Sequence, residues 1–292
     1  MARKVNYLNN KDMLLEIHRS KSTFCSYVAP EYAEYDIILT DLNKINIRTV
    51  AEAKRNRAKQ QSTQAYESAK SAGQKVKMAE FDVDYRTIEK TDLVFRIMTF
   101  DHVPLEPGRK NKPKTVADRH AKCNFPPFIH LAWVNDTWKE VVRSHWRGDL
   151  TDGKFSVTKG KITEKLASMM MMLCQRYSMR SNWRGYTYVD EMRSHALVQL
   201  SQIGLYFDES KSANPFAYYT AAITNSFTRV LNLEKRNQNL RDDLLQQAGQ
   251  TPSFTRQMDD ETAQRKAREV KAEEFHDKME QEMKDAGYNI IP

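Results

Sequence analysis

Phe216, Tyr218 and Tyr219 open a stretch that ends in Arg229, Lys235 and Arg236. Aromatic rings can replace the stacking a nucleic-acid base loses on leaving its helix, worth about 1–3 kcal/mol per base. Cations further along can neutralise the phosphates beside it. This order of residue types suits unstacked bases next to a sugar-phosphate backbone. Core packing explains any single aromatic as readily, and it is the better reading of Phe227.

Two helix-like blocks would have to position these side chains. The first, residues 188–206, places Val189, Met192, Ala196, Leu200 and Ile203 at three- and four-residue steps, one apolar stripe on a helix. The second begins at Asn214-Pro215, a helix-start signal, and continues through Ile223 and Phe227. Residues 207–214, beginning Phe207-Asp208-Glu209-Ser210, join them.

The chain has 292 residues, a net charge of +8 and three widely separated cysteines, Cys25, Cys123 and Cys174. The length admits one large or two small domains. The positive balance favours an anionic partner without choosing among DNA, RNA and an acidic protein surface. An odd number of scattered cysteines argues against a disulfide framework and for a reducing cytoplasm. Neither a signal-peptide pattern nor an apolar run of membrane-spanning length is present.

Residues 5–20 read as a short helix with Leu8, Met13, Leu14 and Ile17 on its apolar side. Residues 51–78 are rich in Ala, Lys, Gln and Ser, and read either as a solvated helix or as a disordered basic arm. Residues 93–98, 128–134 and 138–142 are β-type runs, with Asn135-Asp136-Thr137 as a tight hairpin turn. From Ile162 onward the pattern is helical: Leu166, Met169, Met170, Leu173 and Tyr177 form a stripe, and residues 259–286 read as one charge-dense exposed helix.

The run DEMRSHALVQLSQIGLYFDESKSANPFAYYTAAITNSFTRVL resembles conserved region 2 of the bacterial sigma-70 family. More narrowly, it is similar to the late-transcription sigma factors of T-even-type tailed phages and related cyanophages. The shared marks are an amphipathic helix with an acidic start, a Phe-Asp-Glu hinge, and Asn-Pro-x-Ala-Tyr opening a helix that ends in basic residues. Residues 6–14 resemble the start of the same phage proteins. The likeness covers residues 5–21 and 161–245, under half of the chain.

The resemblance implies a mainly α fold: a sigma-70 region-2-like helical domain with a small α+β insertion and a charged C-terminal helix. Residues 1–21 would be the first helix of the core and residues 22–155 the insertion, a basic helical or disordered arm followed by the α+β module. Residues 156–248 would form the region-2-like domain, and residues 249–292 the charged helix and tail.

In function it implies a factor, itself not an enzyme, that directs host core RNA polymerase to late promoters in the cytoplasm of an infected bacterium. Polymerase would be met, at the coiled coil of its largest subunit, by Asp190, Glu191, Ser194, His195, Leu197 and Gln199. Tyr218 falls where the family stacks a flipped adenine of the non-template strand, with Phe216 and Tyr219 beside it. Asn225 and Thr228 fall at the upstream duplex edge of the element; an Asn amide can pair with adenine in the major groove, suiting an A/T-rich site. Arg229, Lys235 and Arg236 would hold phosphates.

Ala221 and Ala222 stand where primary sigma factors carry a Trp pair, so melting would depend more on supercoiling or a partner. Nothing after Arg241 resembles the family's helix-turn-helix region. A co-activator and a sliding clamp fill that gap in the phage family, and Tyr288, Ile290 and Ile291 are the candidate clamp contacts. A rival reading is a polymerase-associated or single-stranded-DNA-binding regulator without initiation activity.

An enzyme is harder to build. His120 and Cys123 with His130 and His145 could be assembled into a zinc site, but the spacing fits no usual finger. Phosphate-loop, zinc-protease and nucleophile-elbow motifs are lacking. No metal or other cofactor is expected.

Overall fold

The computed structural model describes residues 8–74, 76–105, 107–108, 110–111 and 123–285. It is mainly helical with a small sheet, as expected. The chain forms two compact units, Met1–Phe227 and Thr228–Pro292.

In the first unit, helix α1 (Asn10–Ser22) begins where the Asn9 side chain accepts from the Asp12 amide at 2.7 Å. That removes one of the unpaired donors at a helix start. Its Met13 and Ile17 are fully enclosed. Strands β1 (Ser26–Tyr27), β2 (Ile37–Leu39), β3 (Val94–Met98), β4 (Phe128–Val134) and β5 (Thr137–Arg143) form one sheet in the order β1-β5-β4-β3-β2. Only the β2–β3 pair is parallel. The β4–β5 hairpin turns on Asn135 and Asp136, with φ of 52° and 58°. Both angles suit the mirror-image turn that matches strand twist. Strands β6 (Trp146–Arg147) and β7 (Lys154–Phe155) make a separate small ribbon.

Of the two readings of the basic stretch, the structure has the helix, largely solvated but seated along one face. Helix α2 (Ile47–Ser71) starts in a reciprocal cap between Asn46 and Thr49 and packs on the sheet. Ala53 and Ala58 meet Leu39, Leu93, Phe95, Ile97 and Leu131 there. Small residues let the helix approach closely while Arg48, Arg55, Lys59 and Lys70 face solvent. Arg57 ties it down further, donating to the Asp92 carbonyl at 2.8 Å and lying 2.9 Å from Asp36.

Side chains alternate across a strand. Since Phe95 and Ile97 face α2, their neighbours Val94 and Arg96 must face the opposite side. There the sheet meets α1 and the loop after helix α4 (Val189–Ile203). Helix α3 (Glu164–Ser178), capped by Thr163, buries the expected Leu166, Met169, Met170, Leu173 and Tyr177. It packs against both α1 and α4.

Helix α5 (Pro215–Gln247) runs well beyond the basic residues expected to end it. No Gly or Pro interrupts it before Gly249, and the intervening Leu, Gln, Arg and Glu are good helix formers. The boundary between the two compact units lies inside α5, at Phe227/Thr228. In the second unit, α5 turns at Gly249 (φ 71°) into helix α6 (Phe254–Asp285).

Candidate nucleic-acid interface

Helix α5 starts at Asn214, whose side chain accepts from the Ala217 amide at 3.2 Å. The start of the helix then presents three aromatics, one enclosed and two half-buried. Tyr219 is fully enclosed and its hydroxyl donates to the Gly204 carbonyl at 2.5 Å, fastening α5 to the end of α4. A ring so placed cannot stack on a base, which corrects its expected role: on a helix, position 219 shares the inward face with Ile223 and Phe227. Phe216 is half-buried. Tyr218 is half-buried too, with its ring 5.7 Å from Phe207 and its hydroxyl 3.3 Å from the Ile203 carbonyl.

Ala221 and Asn225 are exposed about one and two turns further along, whereas Ala222 is buried. Phe227 is enclosed between the rings of Tyr177 and Trp183. Thr228, Arg229, Lys235 and Arg236 are all exposed, and belong to the second compact unit.

The loop between α4 and α5 holds what sequence reading missed. Arg96 of β3 is 1% exposed, with its guanidinium 3.8 Å from the ring centres of both Tyr35 and Phe128. Nη1 donates to Glu209 Oε2 at 2.7 Å, Nε to His130 Nε2 at 3.0 Å, and Nη2 faces His18 Nδ1 at 3.0 Å. A guanidinium only donates, so both imidazole nitrogens must accept and both histidines are neutral. His130 then uses its Nδ1–H on the Tyr32 carbonyl, 2.7 Å away. Burial, reinforced by the Arg96 charge, pulls His18 down to about 3 and His130 well below its usual value.

Lys21 of α1 completes the cluster, donating to the Phe207 carbonyl at 2.7 Å and lying 3.6 Å from Glu209. Burial pushes the Glu209 carboxyl up, but Lys21 and Arg96 outweigh it and hold the group below the usual carboxylate range. Burial also lowers Lys21, against the pull of Glu209. The signal available in sequence was a lone Arg within an apolar strand run, with a His in the next one.

On α4, Asp190, Glu191, Ser194 and His195 form one exposed stripe, with Leu197 and Gln199 half-buried at its edge. Val198 extends the stripe and is 58% exposed. Arg193 pairs with Asp190, and His195 lies 3.9 Å from Glu191. Met192, Ala196 and Leu200 face inward. The set expected to touch polymerase is therefore largely one surface.

Tyr288, Ile290, Ile291 and His120 lie outside the described residues. Of the other zinc candidates, His130 has both nitrogens engaged, and His145 Nε2 accepts from the Asn124 amide at 3.2 Å. Among the described residues one three-group cluster could hold a cation, the exposed His276, Asp277 and Glu280. None of the described helices is long and apolar enough to cross a membrane.

Comparison of the chain with protein-family models, curated proteins and solved structures finds no match in any of the three.

Proposed function

We propose that the chain is a sigma-70-like factor. It would join host core RNA polymerase through the exposed stripe of α4, recognise an A/T-rich element of late promoters on the non-template strand, and help open it. One observation carries the reading. The α4–loop–α5 segment that bears the resemblance has its expected polymerase-facing residues largely on one surface, with Asp190, Glu191, Ser194 and His195 exposed and Leu197 and Gln199 half-buried at its edge. Tyr218 and Phe216 retain exposed area at the start of the adjoining helix. The chemistry asked of the protein is binding alone; phosphodiester formation belongs to the polymerase. A sliding clamp and a small co-activator remain partners implied by the resemblance, and the setting would be the cytoplasm of an infected bacterium.

The side chains divide the work physically. Asp190 and Glu191 supply negative charge to a basic coiled coil, and Leu197 adds apolar area. Tyr218 offers a ring face to an unstacked base, Asn225 an amide to a base edge, and Arg229, Lys235 and Arg236 offer charge to phosphates. The rival reading, a polymerase-bound regulator that does not initiate, draws on Ala221 and Ala222, which offer no wedge against a closing duplex.

Run-off transcription by host core polymerase from a premelted A/T-rich late promoter tests the proposal. Start-site-specific product that Tyr218→Ala weakens supports it. Core binding without specific product leaves the regulator, and absence of core binding ends both readings.

A further inference from the structure

A surface loop joining two helices is ordinarily among the more mobile parts of a protein. Here the loop is held from three sides. Lys21 of α1 grips the Phe207 carbonyl, Arg96 of the sheet grips Glu209, and the Tyr218 and Tyr219 hydroxyls of α5 reach the Ile203 and Gly204 carbonyls at the end of α4. The Phe207 side chain, 2% exposed, lies against the Tyr218 ring. A shift of residues 207–209 therefore moves the support of Tyr218 directly.

Arg96 is built to resist such a shift. Its three hydrogen-bonding nitrogens are satisfied by Glu209, His130 and His18, and aromatic rings close both of its faces. His130 sits opposite it in register on β4, so the guanidinium is fixed to the sheet before it reaches the loop. A lysine could supply the charge but not the planar fork that makes three contacts at once.

We propose that Arg96 is a positioning residue. Through Glu209 it sets the loop between α4 and α5, and so presets Tyr218 for an unstacked base. The part played by Tyr218 rests on the function proposed above; the hold on the loop does not. On this view the sheet module at residues 22–155 is the brace of the DNA-facing helix, and not a separate appendage.

Two readouts on the full chain separate those layers. The first is amide hydrogen exchange of residues 204–214 in Arg96→Met, Arg96→Lys and Glu209→Gln. Arg57→Met serves as control, because its pair with Asp36 fastens α2 to the sheet away from the loop. Loop exchange should quicken about tenfold or more in Arg96→Met and less in Arg96→Lys. The control should leave it unchanged even where it lowers the unfolding temperature.

The second readout sets start-site-specific transcription beside core-polymerase affinity. Transcription should fall about tenfold in Arg96→Met while core affinity stays within about twofold, since the α4 stripe is untouched. Unchanged loop exchange in Arg96→Met overturns the proposal, as does a looser loop with full transcription. Should Arg96→Met not fold, Glu209→Gln decides by the same criteria. A wild-type chain inactive in specific transcription would sink the sigma reading alone, with loop exchange still judging the brace.

Discussion

Arg96 and Glu209, 113 residues apart, meet at 2.7 Å in a site where neither side chain is more than 9% exposed. The pair joins the third strand of the sheet to the loop between α4 and α5. Burying two charges costs several kcal/mol per ion, and the pair is tolerable because the remaining donors and lone pairs are met by His18, His130 and Lys21. Each partner depends on the other for its burial.

Glu209→Ala should therefore destabilise the first unit by about 3–5 kcal/mol, because it strands Arg96 and Lys21 without their counter-charge. Urea unfolding followed by circular dichroism reads this directly. A loss below about 1 kcal/mol would mean that water replaces the carboxylate, and that the site is less closed than its burial indicates.

Tyr218 and Tyr219 are adjacent in sequence and should respond oppositely. Tyr219→Ala opens a core cavity and should cost about 3–5 kcal/mol of stability. Tyr219→Phe loses one buried hydrogen bond, worth about 1 kcal/mol. Tyr218→Ala should cost less stability but about 1–3 kcal/mol of binding to an unpaired A/T-rich strand in the presence of core polymerase. Equal losses of DNA binding in Tyr218→Ala and Tyr219→Phe would contradict the assignment.

Stability should fall as the solution is acidified below neutrality. Burial pulls His18 and His145 down to about 3 and His102 to about 4, and it holds His130 well below its usual value. Unfolded histidine titrates near 6.5. Between those values the unfolded chain binds more protons than the fold, so the stability present above about pH 6.5 is lost as pH drops. Asp36 acts in the opposite direction: burial pushes it up to about 6, so protonating it below that pH favours the fold. One such carboxyl stands against four histidines. The unfolding temperature should decline between pH 7 and pH 5 at constant salt, and His18→Gln should flatten the decline; a level profile would refute the neutral-histidine assignment.

Charge reversal on the α4 stripe should act on binding without touching the fold. Glu191 is exposed, and its neighbour His195 lies 3.9 Å away. Glu191→Lys should leave the unfolding temperature within about 1–2 °C, since exposed pairs contribute about 0–1 kcal/mol. It should also slow association with core polymerase most strongly at low salt. Undiminished association at low ionic strength would place the polymerase contact elsewhere.

Local pattern carried much of the fold into the sequence reading. The β4–β5 hairpin was legible from two β-type runs around Asn135 and Asp136, and α3 from its stripe of Leu166 to Tyr177. The seating of α2 was not, because its buried residues are Ala53, Ala58 and Ser62, too small and polar to mark a stripe. The break at Gly249 is legible in the sequence, and α5 runs to it, past the basic residues Arg229, Lys235 and Arg236 that close the resembling segment. The Arg96–Glu209 contact was invisible for a different reason. It is a pairing across 113 residues, set by strand register and loop position, which no local periodicity encodes. The buried face of α4 follows from the spacing of Met192, Ala196 and Leu200, and the spacing of Tyr219 with Ile223 and Phe227 marks it as inward where Tyr218 is not.

The second unit allows a test of its own. Ser253 starts α6, with its hydroxyl 3.4 Å from the Arg256 amide, and is itself held by Asp242 of α5 through its amide (2.8 Å) and hydroxyl (2.7 Å). The Ser253 amide and hydroxyl both hydrogen-bond the Asp242 carboxyl and hold its pKa below the usual range. The cap thus joins the end of one helix to the start of the next. Replacing an N-cap serine by alanine costs about 0.5–2 kcal/mol, and α6 buries little apolar area with which to absorb the loss. Ser253→Ala should therefore reduce helical circular dichroism at 222 nm at ambient temperature and quicken amide exchange in residues 254–260. Exchange within α3 should stay unchanged. Ser253→Asp should lose the link to Asp242 through like-charge repulsion while keeping an oxygen for the cap. If the joint matters more than the cap, Ser253→Asp will fray α6 as much as Ser253→Ala does; if the cap alone matters, it will restore the helix.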